Sequence, residues 1–165
     1  MTGRTGVRPL LFLMCLTACA HPEVTSHAIE IIPAAPDART HIPPDAFYDY
    51  GTPFPTSGPH SPRWTETGFY SEPQRPTELV HALEHGNVVI YYDQPGTPAL
   101  QQLKGWAEEH PGQWDGVVVV PSPGLKERVV LTAWEKRLQL QHFDAAAAAA
   151  FLDAFRGRGP EGAMR

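Results

Sequence analysis

Cysteine is nearly absent from this chain: two residues in 165, Cys15 and Cys19, both close to the N-terminus. Everything after residue 19 is free of thiols and disulfides. That excludes thiolate nucleophiles, cysteine redox chemistry and cysteine-ligated metal sites from the bulk of the chain. Methionine is also scarce, and of the three only Met164 lies beyond the N-terminal segment. Positive charge is sparse and unclustered. Thirteen Lys and Arg against eighteen Asp and Glu leave a formal charge of -5. An acidic chain with no basic run is poorly suited to nucleic acid or to anionic headgroups. Long apolar runs are missing as well. The stretch from Pro9 to Leu16 falls well short of the roughly 20 apolar residues a helix needs to span a bilayer.

That short stretch has a different reading. Arg4 and Arg8 precede it, and Leu16-Thr17-Ala18-Cys19 follows it. Charge, apolar core and small-residue box in this order form a targeting segment, to be set aside before fold reasoning. The box resembles the lipobox of bacterial lipoproteins. The resemblance implies a signal peptide over 1–18, cleavage before Cys19, and lipid on Cys19. Ala rather than Asp at position 20 then implies sorting to the outer membrane, facing the periplasm, in a Gram-negative host. The membrane would be met through this anchor and not through the protein surface.

Residues 19–45 read as a Pro/Ala-rich tether, with Pro22, Pro33, Pro36, Pro43 and Pro44 and little apolar periodicity. His21 and His27 read as solvated linker residues, and His41 stands close enough to the domain to be an additional ligand. A single globular domain is expected over 46–162, with a tail at 163–165. Its first part, 46–78, is rich in proline and aromatics, among them Tyr48, Phe54, Trp64 and Tyr70. Proline disfavours regular elements there, and aromatics disfavour disorder. An ordered, loop-rich aromatic cap follows, of the kind that often carries function.

From Thr77 the pattern is regular. A helix is predicted over Thr77–His85, with Thr77 as N-cap and Gly86 as stop. Strands are predicted at 88–92, 117–120, 129–134 and 138–143, the last two joined by a turn at Glu135-Lys136. A second helix opens at Thr97-Pro98. A third runs from Ala145 to Phe155, capped by Asp144, and its alanine run is helix-forming. Helix, strand, helix, three strands and helix make an α/β (mixed α+β) domain: one mixed sheet with packed helices, thioredoxin-like in outline but without Cys-x-x-Cys.

The chemistry concentrates in two motifs, Thr56-Ser57-Gly58-Pro59-His60 and His81-Ala82-Leu83-Glu84-His85-Gly86. Four residues apart on a helix, His81 and His85 share a face. His60 sits on a Gly/Pro loop that could close over that face. Imidazole is the commonest metal ligand, and three imidazoles suit copper, zinc, iron or nickel; a thioether from Met164 in reach would put copper first and zinc second. His60, His81 and His85 are the primary candidate ligands. Glu84, His41 and Met164 are further candidates, with Glu84 either a fourth ligand or an acceptor that orients an imidazole.

With Gly68-Phe69-Tyr70, Leu131-Thr132-Ala133-Trp134, Phe143-Asp144 and Gly159-Pro160-Glu161, these motifs resemble the bacterial domain-of-unknown-function 3105 family over about residues 40–162. The resemblance implies secreted, lipid-anchored or single-pass membrane proteins and implies no established reaction.

Three functions compete. The first is metal capture or delivery in the cell envelope. The second is a protein-interaction module that uses the aromatic cap to bind an envelope partner. The third is a metal-dependent enzyme, which needs an open coordination position and a proton-transfer group. A serine hydrolase built on Ser57 and His60 is disfavoured, because Ser57 lies among turn residues and not on a strand-turn-helix elbow.

Overall fold

The computed structural model describes residues 27–161, together with Thr2. The leader apart from Thr2, the lipidation candidate Cys19 and the ligand candidate Met164 lie outside the described residues. The elements are β1 (Ile29–Ile31), β2 (Gly68–Phe69), α1 (Pro76–His85), β3 (Val88–Tyr92), α2 (Thr97–Glu109), β4 (Val117–Pro121), β5 (Val129–Ala133), β6 (Lys136–Leu140) and α3 (Ala145–Phe155). They form one six-stranded mixed sheet in the order β1-β6-β5-β3-β4-β2, with three helices. β3 and β4 are parallel and joined through α2, β2 runs parallel to β4, and the β3, β5, β6 and β1 neighbours are antiparallel. No helix among the described residues is long and apolar enough to cross a membrane.

The period of two along the strands sorts side chains to opposite faces. Val88, Ile90 and Tyr92 join Leu103 and Trp106 of α2 and Phe151 and Leu152 of α3 in one core. Val89, Tyr91, Val118 and Val130 face the other way, onto Leu79, Ala82 and Leu83 of α1, with Phe54, Tyr70 and Trp134 packed against them. Both faces are covered, which is why the central strands are near-continuous valine, isoleucine and leucine.

Three local expectations are corrected. Arg75, not Thr77, is the N-cap of α1, and Pro76 opens the helix. A residue before proline is driven to extended backbone, and proline is preorganised for the first helical position. Thr77 is instead buried inside the first turn. The β5–β6 hairpin turns at Trp134-Glu135, because Glu135 takes φ 60° and Ala133 pairs with Lys136. β6 therefore spans 136–140 and not 138–143. Finally, the segment read as a tether contributes structure from Ile29 onward. β1 pairs with β6, Arg137 binds Glu30 at 2.6 Å, and Ala38 is buried. By contrast, α3 starts where expected: Asp144 accepts hydrogen bonds from the amides of Ala146 and Ala147.

Candidate metal centre

Helix α1 is buried on nearly all sides. Its apolar side meets the sheet, and its polar side carries His81, Glu84 and His85, spaced three and four apart and so adjacent on the surface. Two irregular segments cover that polar side. One contains residues 39–65. His41 and His60 form a parallel bridge, with Ile42 N–H donating to the His60 carbonyl and His60 N–H to the Thr40 carbonyl. The Ser61 and Thr65 amides donate to the Thr77 and Glu78 carbonyls of α1. The other is the C-terminal strap. Its Gly157 N–H donates to the Gly86 carbonyl at 2.8 Å and its Glu161 N–H to the Glu84 carbonyl at 3.1 Å.

The Thr-Ser-Gly-Pro-His motif is shaped by close packing. Gly58 has φ 133°, and a Cβ there would stand 2.8 Å from the Tyr50 ring. The Tyr50 hydroxyl donates to the Pro59 carbonyl at 2.7 Å. These contacts hold the loop so that the Gly58 carbonyl can accept from His60 Nδ1 at 2.8 Å. In the same way His81 Nδ1 lies 2.8 Å from the Ser61 carbonyl. A carbonyl can only accept, so both rings carry their proton on Nδ1. In the neutral imidazole each then has a lone pair at Nε2.

Those lone pairs do not point at donors. His60 is fully buried, and its Nε2 lies 2.9 Å from Glu84 Oε2, close enough for an ion pair but without hydrogen-bond geometry. His81 Nε2 lies 3.7 Å from Glu161 Oε2. Glu84 is itself buried, with its other oxygen held by Arg39 Nε at 2.8 Å. Two acceptors in contact repel unless a proton or a cation lies between them. Burial pushes the His81 pKa down, assisted by His60 and opposed by the Ser61 carbonyl. Burial also lowers the His85 pKa, with His81 adding to it and Glu161 opposing it. Both effects favour the neutral, ligating form.

The structure gathers the candidates into two overlapping groups. His41, His60, His81 and Glu84 each offer an atom within 4.8 Å of the others, and so do His81, His85 and Glu161. His81 belongs to both. The expected trio of His60, His81 and His85 is thus divided, with His60 and His85 in different groups. His41, which sequence reasoning placed among the further candidates, stands in the first group beside His60. Its ring centroid is 5.2 Å from that of His60 and 5.1 Å from that of His81. Glu84 belongs to this group as well, whereas Met164 lies outside the described residues.

Sequence reasoning missed Arg39, which lies in the supposed tether and has no motif to mark it. It also gave Glu161 no defined role. Several aromatic rings pack against the histidines or the core, while Tyr48 and Trp114 remain 36% and 37% exposed. The Trp64 ring lies 5.0 Å from His85, Trp114 lies 4.2 Å from His85, Trp134 lies 6.4 Å from His60, and Phe54 lies 5.0 Å from Tyr91. Phe47, by contrast, is 89% exposed.

No curated protein and no solved structure matches the chain. A family match covers residues 41–165. That span takes in both motifs, the whole of the first ligand group and the strap. The chain belongs to the family described as protein of unknown function (DUF3105).

Proposed function

We propose that this domain binds a single transition-metal ion through His41, His60, His81 and Glu84, and that it serves metal capture or delivery in the cell envelope. The observation that supports this most is the tautomer geometry. Two buried imidazoles donate Nδ1–H to backbone carbonyls and so turn their Nε2 lone pairs toward carboxylates, His60 toward Glu84 and His81 toward Glu161, with His81 still within 4.8 Å of the His41, His60 and Glu84 ligand atoms. Fixing the ring through the distal nitrogen is how metal-binding histidines are oriented and made more basic. The 2.9 Å separation of His60 Nε2 and Glu84 Oε2 is compatible with a shared ion. Bonds of about 2.0–2.1 Å place two ligand atoms about 2.9 Å apart at a right angle and about 3.3 Å apart at a tetrahedral angle. Three imidazoles and a carboxylate suit copper(II) first, which heads the affinity order, and zinc second.

The cellular setting is proposed on the leader alone: lipid on Cys19, an envelope location, the outer membrane facing the periplasm in a Gram-negative host, and an envelope protein as recipient or donor of the ion.

Tryptophan fluorescence tests the reading. Three of the four tryptophans, Trp64, Trp114 and Trp134, contact the histidines. Copper(II) bound there is expected to quench emission in a saturable titration, and His60→Ala and His81→Ala are expected to abolish the saturable phase. Quenching that is absent, or that persists in both variants, would overturn the proposal.

A further inference from the structure

The two ligand groups are not independent. His81 Nδ1 is committed to the Ser61 carbonyl at 2.8 Å, so Nε2 is the one nitrogen His81 can give to an ion. Both groups need it, and only one can be complete at a time. Resting on the metal-binding reading above, we infer that His81, His85 and Glu161 form a second, transient seat for the same ion, through which it enters and leaves the first.

The two seats are built differently. The first has four ligands. His60 is held by the Gly58 carbonyl and Glu84 by Arg39. The second has three ligands. His85 Nδ1 is buried without a hydrogen-bond partner, so the ring is held by packing between Trp64 and Trp114 and not by a carbonyl. Glu161 is 40% exposed and reaches His85 Nε2 at 3.4 Å and His81 Nε2 at 3.7 Å from the strap. A ligand set with fewer members, lacking the second hydrogen bond that orients a histidine, binds more weakly. An ion moving between seats exchanges His41, His60 and Glu84 for His85 and Glu161 and keeps its bond to His81 throughout. Exchange through a shared ligand avoids a bare ion, and the exposed Glu161 carboxylate is where an acceptor's ligand can join.

The test is the rate at which the copper-loaded, untagged full chain gives up its ion to excess EDTA. Glu161→Gln preserves shape and the backbone hydrogen bond of the strap. It is expected to slow release by on the order of tenfold, the scale of effect of a lost metal-site contact. His85→Ala, which removes the other ligand particular to the second seat, is expected to slow it similarly. Unchanged or faster release in both Glu161→Gln and His85→Ala overturns the transient seat. So does retention of two ions at once, because one Nε2 cannot serve both. Failure of the wild-type chain to retain any ion would overturn the binding reading itself, and is distinguishable from either result.

Discussion

Adding one methyl group at Gly159 tests whether the C-terminal strap is built into the site. The strap lies so close to the end of α1 that a Cβ on Gly159 would stand 2.2 Å from the Glu84 carbonyl oxygen, 2.3 Å from Gly86 N and 2.6 Å from the His85 carbonyl carbon. All three are backbone atoms of a buried helix end, with no flexible side chain to give way. To restore ordinary contact the strap must withdraw by about 1 Å. The Gly157–Gly86 bond at 2.8 Å and the Glu161–Glu84 bond at 3.1 Å would then exceed hydrogen-bond range. At about 0.5–1.5 kcal/mol each, their loss puts Gly159→Ala about 1–3 kcal/mol below wild type, the usual range for overpacking. Equilibrium urea unfolding would read the loss, and amide exchange would locate it, since the Gly157 and Glu161 N–H groups should lose protection. Glu161→Gln, which leaves the backbone alone, should melt close to wild type. A Gly159→Ala protein with unchanged midpoint and a still-protected Glu161 amide would refute the reasoning.

Other outcomes follow from the same structure. Phe151 is 1% exposed in the core beneath α3, and Phe151→Ala should cost about 3–5 kcal/mol in denaturant unfolding. Asp144 caps α3, and its pKa is lowered by the hydrogen bond from the Ala147 amide first, with the Ala146 amide and His27 adding to it. A carboxylate depressed in the folded state stabilises above its unfolded pKa, and the contribution fades as pH falls through the folded value. Asp144→Ala should therefore melt below wild type at neutral pH, and the two melting curves should converge in acid. The release kinetics of Glu161→Gln, described above, complete the set.

Regular structure was readable wherever the local signal agreed with the tertiary outcome. Asp144 followed by an alanine run, and valine-rich strands covered on both faces, permitted few alternatives. The hairpin was misplaced because Glu135 adopts a left-handed conformation that sequence patterns assign to glycine or asparagine. β1 was missed because Ile29–Ile31 is too short to announce itself and is paired with residues more than a hundred positions away. The same division holds at the site. His81 and His85 on one helical face follow from spacing alone. That His41 joins His60, that Arg39 fixes Glu84, and that Glu161 arrives over His85 depend on loop and strap contacts for which spacing carries no signal.

Metal content tests the central claim most directly. The untagged full chain, loaded with copper or zinc and desalted, would be assayed by elemental analysis beside His60→Ala and His81→Ala. The account predicts about one equivalent retained by wild type, as a single folded site requires, with copper held in preference to zinc and neither retained by the variants. A wild-type protein that emerges from desalting without metal, or variants that retain as much as it does, would contradict the account.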